Sequence, residues 1–374
     1  MKITDIEAKV VSTPLIPPVK PYGSAAGETT KAESVIIRIS TDDGIEGWGE
    51  THTDFAPSAV ENETCEDMKR VLAGQNPFDI EKILQLLRSR FGFMNTIARS
   101  DITDMINGLD IALWDIAGKA VGKPVYELFG GLLKEKIPVA ACQGIREPEE
   151  AGSTAKLYAN QGFLTIKTKG GRSMQQDIAI IKAMREAVGN SVELRIDPNQ
   201  GYDTPTALRL LRALDRYDLQ YVEQPIRRDA LDDLARLRLS TNTPIAVNES
   251  VQSLRDLLQV IEKRAADLVL VDFYLGGFTG LRKAGAIADT CAIPLVMHCN
   301  HDFGIKTAAT LHAVGSIPGF KYAMDSTYHG QADDVLKYKL KIERGHIKVP
   351  DGPGLGITVD ETKLEKLSAS SQSK

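Results

Sequence analysis

From residue 137 onward the chain alternates short apolar runs with longer stretches whose apolar residues recur three and four positions apart. The runs span 137–141, 163–166, 192–196, 219–222, 244–247, 268–271, 294–297 and 320–324. Short apolar runs separated by helix-period stretches predict buried parallel strands joined by helices. In one such stretch Thr204 is placed to cap a helix, with Pro205 at its first position and Leu208, Leu211 and Leu214 facing inward. Eight repeats of this unit predict an α/β fold, a closed (β/α)8 barrel.

Ahead of them the pattern differs. Residues 3–12 and 34–40 alternate apolar and polar like half-buried strands, and Asp42-Asp43-Gly44 predicts a hairpin turn. Helical spacing follows at Val71, Ile80, Ile83, Leu84 and Leu87, then at Leu109, Ala112, Leu113 and Ile116. The pattern predicts a small α+β domain over 1–125 and a barrel over 126–340. Between the first two strands, 15–28 is rich in Pro, Gly and Ala and predicts a structureless lid. The last residues, from Ser368, predict a disordered tail.

Composition narrows the function classes. The chain has 374 residues, 43% hydrophobic and 25% charged, and a net charge of −5. It carries neither the basic footprint of a nucleic-acid binder nor a polybasic membrane stripe. Its first residues lack a signal-peptide apolar core. Cys65, Cys142, Cys291 and Cys299 show no paired spacing that would indicate disulfides or zinc. A soluble, reduced, cytoplasmic protein is expected.

The chemistry lies where the apolar runs end. Just past them come Lys169, Asp197, Glu223, Glu249, Asp272, His298 and Asp325, at steps of 23 to 28 residues. In a barrel these ends converge on one mouth. Lys167 and Lys169 share one face of their strand, with Leu164 and Ile166 on the other, suited to packing on helices. Mutual repulsion and exclusion of water would make Lys169 a neutral base near pH 7. Asp197, Glu223 and Glu249 cannot sit together ionised without a counter-charge, and an all-oxygen set favours Mg²⁺, with Mn²⁺ as an alternative. Lys169 and His298 would flank that ion, with Asp272 orienting the imidazole. Tyr22, Asn199, Asn300, His301 and Asp325 are candidate substrate contacts, and the segments 15–28 and 51–55 are expected to select stereochemistry.

Lys167-Thr168-Lys169, Asp197-Pro198-Asn199, Tyr221-Val222-Glu223-Gln224-Pro225, Asn248-Glu249-Ser250 and the Asp272 and His298 pair together resemble the enolase superfamily, in its mandelate racemase branch. Gly47-Trp48-Gly49-Glu50, the stretch 108–115 and the stretch 349–356 are similar to further signatures of that family. The resemblance implies one Mg²⁺ per subunit and abstraction of the proton α to a carboxylate, giving an enediolate. It implies an N-terminal domain capping the barrel, a segment 341–374 returning to that cap, a homo-oligomer, and a small carboxylate substrate. The sixth strand end has no lysine, which counts against the muconate-lactonising branch. The last third resembles glucarate dehydratases, although Glu249 stands where those enzymes carry Asn and this chain is shorter. The expected reaction is dehydration of an acid sugar, aldarate or aldonate, to a 2-keto-3-deoxy acid. In it Lys169 or His298 removes the α-proton, His298 protonates the departing hydroxyl, and Lys167 offsets charge. A racemase, epimerase or cycloisomerase is the alternative, and a non-catalytic carboxylate-binding barrel the alternative of another class.

Overall fold

In a computed structural model the described residues are 1–52, 64–91 and 100–372, with backbone alone at 100, 101 and 369–372. Residues 53–55, expected to help select the substrate, lie outside them. Five strands open the chain: β1 (Ile3–Pro14), β2 (Tyr22–Ser24), β3 (Gly27–Thr29), β4 (Lys31–Thr41) and β5 (Glu46–Thr51). The alternation in β1 and β4 becomes an antiparallel pair, and the Asp42-Asp43-Gly44 turn leads into β5 on the other side of β4. The segment expected to be structureless is instead ordered, with β2 paired on β3 as a hairpin. Two arginines from the barrel explain the difference. Arg146 Nη2 donates to the carbonyls of Pro18, Val19 and Pro21 at 2.5, 3.1 and 3.2 Å, and Arg172 Nε donates to Ser24 O at 2.9 Å.

Helices Cys65–Leu72, Ile80–Phe91 and Ser100–Val121 complete the cap. The apolar stripe read from the sequence faces inward, with Leu109, Ala112, Leu113 and Ile116 fully buried. The last helix lies directly on β5. A Cβ built on Gly49 would stand 2.0 Å from Gly108 O, so only glycine permits that approach.

The eight apolar runs form β6 (Lys136–Gln143), β7 (Thr165–Lys169), β8 (Glu193–Asp197), β9 (Tyr221–Glu223), β10 (Ile245–Val247), β11 (Leu268–Val271), β12 (Leu295–Met297) and β13 (Met324–Ser326). They are parallel and ordered as in the chain from β6 to β12, while β13 pairs with β6. A single bridge between Leu295 and Phe320 spans the remaining gap, so the barrel is nearly closed. The eighth strand therefore begins later than its apolar run, because Asp325 and Ser326, not Phe320, carry the ladder to β6. Two local expectations are corrected. Leu164 precedes β7 and is 59% exposed rather than packed on a helix. Asp203, not Thr204, caps Thr204–Leu214, accepting from Thr206 N at 2.8 Å; it sits one position ahead of the expected cap.

Beyond the barrel, β14 (His346–Lys348) pairs antiparallel with β6. Helix Glu361–Gln372 then packs on β1 with Leu364 and Leu367 buried, so most of the supposed tail is helical. Asp115 holds these parts together: its buried carboxylate accepts from Trp48 N at 2.9 Å and Leu355 N at 2.8 Å. Two of the sequence signatures, around Trp48 and Leu355, thus meet on a third. No helix among the described residues is long and apolar enough to cross a membrane.

Candidate active site

The ends of β7, β8 and β9 bring Lys167, Lys169, Asp197 and Glu223 together, all nine-tenths or more buried. Lys169 Nζ lies 2.5 Å from Asp197 Oδ2. Lys167 Nζ lies 3.3 Å from the same oxygen, 2.6 Å from Glu223 Oε2 and 2.8 Å from Asp325 Oδ2. Burial, the largest single effect, favours a neutral amine, but the charge and hydrogen bond of Asp197 together with Glu223 more than offset burial and Lys167 and hold Lys169 above the usual lysine range. The expectation of a neutral Lys169 was for a lysine beside a cation; here the carboxylates expected to hold that cation lie against the lysine itself. Lys167, amid Asp325, Glu223 and Asp197, is held higher still. For Asp197, burial raises proton affinity, yet Lys169 and Lys167 bring it well below the usual carboxylate range. Glu223 is pushed up by burial and then by Asp197.

Glu249 joins through Asn199, whose Nδ2 donates to Asp197 Oδ2 at 3.3 Å and Glu249 Oε1 at 3.2 Å. Among the described residues no three acid, imidazole or thiol groups are gathered tightly enough to hold an ion, and Lys167 fills the space between Asp197 and Glu223. The donor set nevertheless fits a hard divalent cation. Glu223 Oε1 and Glu249 Oε2 are buried carboxylate oxygens with no hydrogen-bond partner, and only oxygens are offered.

On the far side of the barrel, His298 Nδ1 stands 3.8 Å from Asp272 Oδ2, too far for a hydrogen bond, and is buried without another partner. Asp272 Oδ2 is engaged elsewhere, by Lys306 Nζ at 2.9 Å and Asn300 Nδ2 at 3.2 Å. Burial would raise Asp272, but Lys306 and then His298 pull it down to about 2. The two residues of the expected dyad are thus neighbours with no hydrogen bond between them.

The proposed substrate contacts divide. His301 stacks edge-on with Tyr22, ring centroids 4.6 Å apart, and its Nδ1 meets Thr327 Oγ1 at 2.9 Å. Burial, followed by His52, pushes His301 down to about 3, so its ring is neutral. Asp325 is committed to Lys167 and, through Oδ1 at 2.9 Å, to the fully buried Arg195. Asn199, Gln200, Gln224 and His301 take φ of 46°, 65°, 35° and 60°. Left-handed backbone outside glycine is costly and gathers at sites that use it.

Residues 5–130 match the mandelate racemase / muconate lactonizing enzyme N-terminal domain, and residues 150–363 the enolase C-terminal domain-like family. The chain belongs to the mandelate racemase/muconate lactonizing enzyme family. Its relatives there differ in reaction. An N-succinyl-L-Arg/Lys racemase of Bacillus cereus is 30% identical, with 98% of each chain covered. An arabinonate dehydratase of Saccharolobus solfataricus is 32% identical, with 91% of each covered. Among solved structures, a putative sugar isomerase of Streptomyces coelicolor is 31% identical, covers 100% of this chain and 98% of its own, and has a TM-score of 0.91. A dipeptide epimerase of Cytophaga hutchinsonii, solved with Mg and a dipeptide, is 27% identical with 98% of each chain covered and a TM-score of 0.88.

Three residues of this family member had gone unassigned in the sequence. Gln224 ties the β9 end to the β10 end, its Oε1 accepting from Asn248 N and Ser250 N, both at 3.1 Å, which brackets Glu249. Glu50 of the cap accepts from Phe303 N and Lys306 N, both at 2.7 Å, at the start of helix Gly304–Ser316. Lys306 joins Asp272 to Asp302, 2.8 Å away. Gln224 and Glu50 lay inside quoted motifs, but Lys306 gave no signal, since it sits outside the strand-end phase.

Proposed function

We propose that this chain dehydrates an acid sugar to a 2-keto-3-deoxy acid. The observation that carries the reading is the provision of two different proton-transfer groups, Lys169 beside Asp197 and His298 within 3.8 Å of the Asp272 carboxylate. Dehydration needs a base for the α-proton and an acid for the departing hydroxyl. Asp197, Glu223 and Glu249 are the residues that would hold Mg²⁺. When bound, the ion supplies Lewis-acid neutralisation of charge developing on the substrate carboxylate and takes over the compensation of these acids that Lys167 and Lys169 now give. Lys169, as the free amine, takes the proton from the α-carbon. His298 gives a proton to the β-hydroxyl, which leaves as water as the carbon–oxygen bond breaks and the α,β double bond forms. The enol that remains becomes the 2-keto-3-deoxy acid, so the net loss is one water. Lys167, fixed between Asp325 and Glu223, stays charged and opposes charge accumulating on the substrate. The arabinonate dehydratase among the relatives supports this reading.

A racemase or epimerase is the second reading, favoured by the same two groups used as opposed bases and by the racemase relative. Incubation of an acid-sugar panel with MgCl₂ in deuterated water separates them. The expected result is 2-keto acid formation, lowered about 10³-fold or more in Lys169→Met and in His298→Asn. Exchange at the α-carbon without any 2-keto product overturns the dehydratase reading.

A further inference from the structure

Between the cap and the barrel mouth lies a cavity of about 210 Å³, walled by Glu50, Asp104 and Asn107 of the cap and by Asp272, Asn300 and Lys306 of the barrel. It adjoins Asp272 and, through it, His298. On the reading proposed above, this is a space open to the carbons of a substrate that lie beyond its α- and β-carbons. What those carbons carry follows from the walls.

Lys306 is the one lysine or arginine among the described wall residues. Its ammonium is 2.9 Å from Asp272 Oδ2 and 2.8 Å from Asp302 Oδ1, so one positive charge already faces two carboxylates. His52, which also lines the cavity, donates through Nδ1 to Glu33 O at 3.1 Å. A further carboxylate placed here would be desolvated, and among the described wall residues no other lysine or arginine stands ready to meet it. Asn107 supplies an independent observation. It is 3% exposed, lines the cavity, and its Nδ2 has no hydrogen-bond partner. A buried amide donor left open in this way suits a neutral hydroxyl oxygen.

We infer that the cavity takes a neutral polyol chain, so that the substrate is an acid sugar with a single carboxylate, an aldonate, and not a dicarboxylate aldarate. This rests on the acid-sugar reading above and narrows it. The test is kcat/KM for 2-keto acid formation, with Kd by calorimetry, on configurationally matched pairs with MgCl₂: D-gluconate against D-glucarate, D-galactonate against galactarate, and D-mannonate against D-mannarate, with the five-carbon pairs alongside. At least one aldonate is expected to react and bind at least 100-fold better than its matched aldarate. Asn107→Ala is expected to reduce that aldonate's kcat/KM about tenfold. An aldarate that reacts or binds as well as its aldonate overturns the inference and leaves the dehydratase reading standing. If neither class reacts nor binds, both fall together.

Discussion

His312 shows how a single buried side chain ties stability to pH. Its Nδ1 accepts from Tyr126 N at 3.3 Å and its Nε2 donates to Leu355 O at 3.1 Å, which fixes a neutral ring. Burial pushes it down to about 4 from 6.5, against a smaller opposing effect of the Leu355 bond. The unfolded chain takes up a proton as pH falls through 6.5, whereas the folded ring refuses one until about 4. Its contribution is therefore intact above 6.5 and lost between 6.5 and 4, roughly 2 kcal/mol by pH 5. Denaturant unfolding at pH 7.5 and 5 should register that loss, and His312→Gln, which keeps one donor and one acceptor, should reduce it. Glu223 makes a second prediction at this scale. Its open Oε1 and that of Glu249 Oε2 suit a cation, so MgCl₂ should raise the melting temperature and EDTA should reverse the rise. The gain is about 2.7 kcal/mol at a hundredfold excess over Kd. Glu223→Gln should abolish most of it; an unchanged shift in that variant would remove Glu223 from the site.

At the scale of elements, the contact between β5 and helix Ser100–Val121 sets a sharp expectation. Gly49→Ala forces a Cβ to 2.0 Å from the backbone oxygen of Gly108, where no side chain can move aside. Destabilisation of about 3 kcal/mol is expected from overpacking, read as a lowered denaturant midpoint. Gly23→Ala, whose Cβ meets nothing nearer than 3.5 Å, should be mild by comparison. The strands were legible because each βα unit uses a near-constant length, so charged residues at one phase must face one mouth. The hairpin Tyr22–Thr29 was not legible, because the carbonyls that order it are bound by Arg146 and Arg172, more than a hundred residues away in the chain. Composition reports flexibility only where no distant donor intervenes. Lys306 escaped for a related reason: every residue of its helix, Gly304–Ser316, is buried, so periodicity gives no preferred face.

For the whole molecule, the cap does more than cover the barrel. Glu50 takes two backbone N–H groups at the start of the helix that carries Lys306, and Lys306 holds Asp272 beside His298. Glu50→Ala should lower stability by about 2 kcal/mol, from two buried donors left unpaired, and should also reduce kcat on the confirmed substrate. A variant that loses stability but keeps full kcat would separate the cap from the chemistry. The sequence by itself determined the barrel, the cap and the gathering of Lys167, Lys169, Asp197, Glu223, Glu249, Asp272 and His298 at one mouth, because side-chain phase and repeat length are local properties of the chain. Only the tertiary structure decided the pairing of Lys169 with Asp197, the opening between Asp272 and His298, and the pairing of Lys306, in the cavity wall, with Asp272 and Asp302. Each of these depends on which charges meet across strands and between domains, and Coulomb interactions at three ångströms are set by folding, not by order along the chain.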